Sequence, residues 1–244
     1  MNITGSVHSF DTSIGVDGPG TRFVAFLAGC PLRCLYCHSP DTWYRRSGTL
    51  MTVDDLMSAL HGYERFIRVS GGGVTLSGGE PLQQARFTEA FLHACRMRGL
   101  HTALDTSGFY GDRASDTLLD AVDLVLLDVK SADPATYRRV TGTGEIAPTL
   151  RFGRRLAALH KPVWVRFVLV PGLTDDPSNI GGIADFAAEL PTVERVEVLP
   201  FHRLGQHKYD AIGLEFPLRD TVPPSHEAVE AARDIFRARG LTVT

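Results

Sequence analysis

A basic surplus is the first thing missing from this chain of 244 residues: 25 lysines and arginines stand against 28 aspartates and glutamates, for a net charge of −3. Nucleic-acid binders carry the opposite balance, so no nucleic-acid partner is expected. No apolar run approaches the roughly 18 residues of a membrane span. The segment from Met1 to Gly20 lacks the charged n-region and apolar h-region of a secretory signal. Cysteine is scarce, four residues in all with three of them clustered, which does not make a disulfide framework and fits a reducing compartment. A soluble, cytoplasmic protein with no membrane partner is expected. A linker rich in Gly, Ser or Pro and an internal repeat are both absent, so residues 1–244 read as a single domain, long enough to bury a core without staples.

What is present is alternation. An apolar strand at Phe23 to Leu27 is followed by a helix that Thr52 and Asp55 cap in the manner of a capping box, with Leu56, Leu60 and Tyr63 at helical spacing up to Phe66. Strands are then expected at Val74–Leu76, His101–Leu104, Leu124–Leu127, Val163–Val170 and Val193–Leu199, with a short tail strand at Leu241–Val243. Helices are expected at Ala85–Arg98, stopped by Gly99, and at Asp116–Ala121, Thr149–Leu159, Ile180–Leu190 and His226–Arg239. Strands alternating with helices in crossover units specify a parallel sheet. Six such units make the fold class α/β, an incomplete (β/α)6 TIM-like barrel with parallel strands. Active sites of barrels are built on the loops after the strands, and the unusual polar residues fall there: Cys30, Cys34 and Cys37 after the first strand, Gly78, Gly79 and Glu80 after the second, Asp105 and Thr106 after the third, Asp128 and Lys130 after the fourth. Arg166 lies within the fifth strand and His202 just beyond the sixth.

The cysteines carry the most chemistry. C-x-x-x-C-x-x-C places three thiolates on one short loop. Thiolates select iron–sulfur clusters, zinc or copper(I), and a 4Fe-4S cluster normally takes four cysteines, so three leave one iron open to a ligand. The alternative is a structural zinc site that borrows His38. Cys95, in the apolar stretch Ala90, Phe91, Leu92 and Ala94, reads as core.

Together with Asp17-Gly18-Pro19-Gly20, Ser70 to Thr75, Ser77-Gly78-Gly79-Glu80, Leu104-Asp105-Thr106, Leu127 to Lys130, Val170-Pro171-Gly172 and Leu199 to Lys208, the cysteine loop resembles the radical S-adenosylmethionine (SAM) enzymes. Within them it resembles the glycyl-radical activases of the pyruvate formate-lyase branch. The resemblance covers nearly the whole chain and implies the radical SAM fold. It implies an oxidoreductase in which Cys30, Cys34 and Cys37 hold a 4Fe-4S cluster whose open iron chelates SAM, and in which one electron cleaves SAM to methionine and a 5'-deoxyadenosyl radical. That radical takes a hydrogen from a backbone glycine of pyruvate formate-lyase. SAM would be held by Tyr36, Cys37, His38, Gly78, Gly79, Glu80, Asp128, Val129, Lys130 and His202. Asp105, Thr106 and Asp128, with the backbone carbonyl of Leu126, would hold a monovalent cation, Na or K; hard oxygen ligands suit such an ion. Asp17 and Arg166 would grip the incoming glycine segment, although Arg166 could equally neutralise an acid in the barrel interior. Flavodoxin or ferredoxin would supply the electron, and the protein would act as a monomer. No further cysteine lies between Cys37 and Cys95, where activases of other substrates insert a ferredoxin-like segment. Ser39-Pro40 after His38 and Pro81 after Glu80 depart from the branch. Two alternatives stay open from the residues: a radical SAM enzyme acting on another glycyl-radical partner, a small molecule or a peptide, and a non-catalytic zinc scaffold.

Overall fold

The computed structural model describes residues 3–142 and 145–244. The chain forms two compact units, one of Met1–Pro31, Thr42–Thr106 and Tyr110–Leu126, the other of Leu32–Asp41, Ser107–Phe109 and Leu127–Thr244.

In the first unit, β1 (Thr4–Ile14) runs antiparallel to β2 (Thr21–Leu27). A short β3 (Thr49–Thr52) pairs antiparallel with β1. On the other side of β2, β4 (Gly73–Gly78) and β5 (His101–Thr106) follow in parallel. Phe23, Val24, Ala25 and Leu27 of β2 are fully buried, the pattern of a strand covered on both faces. The outer half of β1 is largely exposed, as an edge position allows. Helix α1 (Val53–His61) begins where expected: the Thr52 side chain accepts from the Asp55 amide at 3.0 Å, and Asp55 accepts from the Thr52 amide at 2.8 Å. Helices α2 (Glu64–Val69), α3 (Ala85–Met97) and α4 (Asp116–Asp120) complete the unit. Helix α3 stops at Gly99, which takes φ +67. Cys95 is fully buried, with its sulfur 3.7 Å from that of Met57.

Strand β6 (Leu124–Asp128) carries the chain into the second unit. There, α5 (Pro134–Thr141) is capped by Asp133, whose carboxylate accepts from the Thr136 amide, and opens on Pro134. Helix α6 (Ala147–Ala158) leads to β7 (Val163–Leu169), and α7 (Pro177–Ala188) leads to β8 (Val193–Pro200), parallel to β7. Helices α8 (Gln206–Ala211) and α9 (His226–Arg237) follow.

Four expectations need correction. The strands are not all parallel, because β1 and β3 add antiparallel partners on the β2 side. Helices α5 and α8 were not anticipated, α5 because its polar face outweighs its three buried positions. Helix α7 starts at Pro177 rather than Ile180, since Asp176 caps it by accepting from the Ser178 and Asn179 amides. The tail strand is reduced to one parallel bridge, Val243 to Val196.

Candidate functional site

In the first unit the ends of β2 and β4 are stitched together by backbone. The Gly79 amide donates to the Leu27 carbonyl and the Glu80 amide to the Gly29 carbonyl, both at 2.8 Å. Gly29 and Cys30 are held in turn by the carbonyls of Thr42 and Trp43, at 2.6 and 3.0 Å. This close approach explains the glycines. A Cβ on Gly78, at φ +107, would lie 2.4 Å from the Leu27 nitrogen, and one on Gly79 would lie 2.3 Å from the Gly29 oxygen. The pair is thus required by the fold itself, whatever it also offers a ligand. Gly78→Ala is expected to cost about 3 kcal/mol through backbone overlap and left-handed strain, read as a lowered urea midpoint against wild type. An unchanged midpoint would show that β2 and β4 can separate freely.

Glu80 is 1 % exposed, and its carboxylate accepts from the Leu82 amide at 3.0 Å and from the Thr106 hydroxyl at 2.7 Å. Asp105 accepts from the Ser77 hydroxyl at 2.6 Å. Two groups assigned to different roles in the sequence, Glu80 and Thr106, are therefore direct partners. Leu126 is fully buried. Asp17 sits half-buried in the β1–β2 connection, its carbonyl accepting from the Thr75 hydroxyl at 2.6 Å.

In the second unit the cysteine loop rests on the end of α5. The Arg33 and Leu35 amides donate to the Thr141 and Val140 carbonyls at 2.7 and 2.9 Å, using carbonyls that a helix end leaves without intrahelical donors. The Cys37 amide closes back onto the Cys34 carbonyl at 3.0 Å. Burial pushes the Cys34 thiol up to about 12. Beside it, Lys130 is ion-paired with Asp128 and sits 5.4 Å from the ring centroid of Tyr36. Burial is the largest influence on Lys130 and opposes its charge, yet Asp128, Tyr36 and Cys34 together outweigh it and hold the ammonium well above its ordinary value. Tyr36 is 5 % exposed, and burial raises its phenol well above the usual range. Val129 is fully buried, its amide donating to the Arg166 carbonyl at 2.9 Å. His38 and His202 meet with ring centroids 4.1 Å apart, and burial, then the neighbouring His202, lowers the His38 imidazole.

Arg166 faces Glu197 across the β7–β8 register, with Nε 3.3 Å from the carboxylate. The sequence reading missed Glu197. The signal was a charged residue in the middle of each of two strands that end at adjacent loops.

Among the described residues, no three His, Cys, Asp or Glu side chains are gathered as ligands of a metal ion. The fit of the implied cofactors rests instead on donor chemistry and on buried atoms left over. Three cysteines within eight residues are a soft donor set. The Tyr36 hydroxyl and one Asp128 carboxylate oxygen are buried without a hydrogen-bond partner, a costly state that a polar ligand beside Cys34 would relieve. The residues fit a cluster and a polar cofactor.

Residues 24–180 match the family model of the radical SAM superfamily. The chain belongs to that superfamily. It is 42 % identical over 242 residues to the pyruvate formate-lyase 1-activating enzyme of Escherichia coli K12, covering 98 % of both chains. It is 40 % identical over 240 residues to the pyruvate formate-lyase-activating enzyme of Listeria monocytogenes, covering 96 % of both. A solved domain of such an enzyme from Bacteroides vulgatus superimposes with a TM-score of 0.59 at 28 % identity, covering 71 % of this chain and 98 % of that one. The radical SAM fold is the α/β class that the alternation of strands and helices implied, with strands mostly parallel apart from β1 and β3. As a radical SAM protein the chain is an enzyme, with a 4Fe-4S cluster and SAM as its cofactors. Among the described residues no helix is long and apolar enough to cross a membrane.

Proposed function

We propose that this radical SAM enzyme activates pyruvate formate-lyase by removing a hydrogen atom from a backbone glycine of that protein. One observation carries the reading: 98 % of the chain aligns at 42 % identity with 98 % of an enzyme named for that activation. Cys30, Cys34 and Cys37 would hold the 4Fe-4S cluster, which when bound would supply the electron for reductive cleavage of SAM. The hydrogen atom would come from the Cα of the partner's glycine, which would be left carrying the unpaired electron.

The chain's own residues bind and orient. Lys130, kept charged by Asp128, neutralises the SAM carboxylate or holds ribose oxygens. The backbone at Gly78 and Gly79 receives the SAM ammonium, with Glu80 as a fixed negative group behind it. Tyr36 and His38 pack beside the cofactor, and His202 hydrogen-bonds the nucleoside; the 4.1 Å His38–His202 pair supports treating them together. Asp105, Thr106, Asp128 and the Leu126 carbonyl would be the ligands of a Na or K ion, and Asp17 and Arg166 would grip the partner's glycine segment. The same reading makes the protein a cytoplasmic monomer reduced by flavodoxin or ferredoxin. It also makes residues 1–244 one radical SAM domain, since the family match at 24–180 crosses both compact units.

The test is an anaerobic assay of the brown, reduced protein with SAM, with and without pyruvate formate-lyase. The expected outcome is 5'-deoxyadenosine in both mixtures and a doublet organic radical in electron paramagnetic resonance only when the partner is present. Cofactor cleavage with no radical on the partner would redirect the activity to another substrate.

A further inference from the structure

Arg22 is 0 % exposed and is the one charged residue of strand β2. Its Nε donates to the Thr75 hydroxyl at 3.0 Å, one terminal nitrogen lies 3.0 Å from the His101 ring, and the other donates to the Val74 carbonyl. The Thr75 hydroxyl, also fully buried, donates a hydrogen bond to the Asp17 carbonyl at 2.6 Å. Gly18 and Gly20, at φ +119 and +67, bring the loop down onto this group. A Cβ on Gly18 would stand 3.3 Å from the Arg22 Nε, and one on Gly20 would stand 2.7 Å from the Gly72 Cα. The Gly15 amide closes the loop onto the Gly20 carbonyl at 3.2 Å. Burial lowers the Arg22 guanidinium to about 10, with Asp123 and Asp17 opposing the fall, so it stays charged at neutral pH.

Filling this volume for packing alone needs only apolar side chains, and a buried charge is a costly substitute. The loop it holds has a buried base and an exposed tip: Ile14 is 73 % and Val16 57 % exposed, on either side of Gly15 and next to Asp17. We infer that Arg22 and Thr75 are positioning residues that lock the Asp17 loop, with its apolar tip, in the shape that receives the partner's polypeptide segment. The inference rests on the reading that Asp17 grips that segment. Neither residue is among those assigned to SAM or the cluster, so the arrangement sets partner affinity and leaves cofactor cleavage alone.

The experiment uses the cluster-loaded enzyme and compares Thr75→Val, Thr75→Ser and Asp17→Asn. It reads the partner KM, kcat, the partner-independent rate of 5'-deoxyadenosine formation, and Tm. Thr75→Val keeps the shape and removes the hydroxyl. It is expected to raise the partner KM about tenfold, the scale of one lost buried hydrogen bond, with partner-independent cleavage unchanged, and Thr75→Ser is expected to restore wild-type KM. Should Thr75→Val not fold, Thr75→Ala is measured in the same way. An unchanged partner KM in the folded variant, equal losses in cleavage and activation, or failure of serine to rescue would each overturn the positioning role. If Thr75→Val leaves KM unchanged while Asp17→Asn raises it, the lock fails and the Asp17 grip stands. If Thr75→Val raises KM and Asp17→Asn does not, the lock stands through the loop backbone and the Asp17 grip falls.

Discussion

Cys34→Ala is expected to remove iron, brown colour and SAM cleavage together, lowering glycyl-radical formation by about a thousandfold or more, a loss in the range seen when an essential catalytic group is deleted. Cys34 is buried, and its thiol is pushed up to about 12, so at neutral pH the bare side chain is a neutral thiol rather than a reactive thiolate. Metal binding must drive that proton off. A buried site able to hold one charge only in the company of a cation is well suited to a cluster and poorly suited to any role as a free nucleophile. The loop's path does not depend on the sulfur, because Arg33 and Leu35 are tied to α5 through backbone amides. The variant should therefore melt within a few degrees of the metal-free wild type, the shift produced by about 1 kcal/mol in a domain of this size. Full iron content with normal cleavage in Cys34→Ala would remove Cys34 from the ligand set. Zinc in place of iron in anaerobically prepared wild type would replace the catalytic reading with a scaffold.

The parts of this molecule that were legible in the sequence share one cause: a local pattern with a local consequence. The capping box at Thr52 and Asp55, the stop at Gly99 and the buried runs of β2, β4 and β6 depend on neighbours a few residues away. The polar residues after those runs were legible for the same reason, since a strand's end dictates where its next residues emerge. Strand β1 was not legible, because TGSVHSFDTSI has no apolar run and is set in place by distant partners. Buried Gln84 accepts from the Ser6 amide at 2.8 Å and donates to the Ser6 and Ala28 carbonyls, both at 2.9 Å. The reason for Gly78 and Gly79 was half legible. Sequence suggested room for a ligand, whereas the backbone of Leu27 and Gly29 already occupies the space that a Cβ would need. Glu80 illustrates the same limit: its position was readable, but its hydrogen bond from Thr106, 26 residues away, was not.

Arg166→Ala is expected to destabilise the protein by about 3–5 kcal/mol, and Glu197→Ala by a similar amount, because each takes an ion-pair partner from a charge that stays buried. The two side chains are only 9 % and 10 % exposed, so water does little to rescue the survivor. Of the two roles that the sequence left open for Arg166, the pairing favours neutralising an interior acid, and a simple alanine variant cannot separate the two, since it unfolds and fails to bind the partner for the same reason. The double variant Arg166→Leu with Glu197→Leu can. Replacing both charges by apolar groups of similar volume is expected to return stability to within about 1 kcal/mol of wild type, by urea unfolding. In that stable background, normal SAM cleavage with a partner KM raised at least about tenfold, a loss of roughly 1.4 kcal/mol, would mean that Arg166 also grips the glycine segment. A wild-type partner KM would confine Arg166 to holding Glu197, and would leave the Asp17 loop as the element that binds the partner.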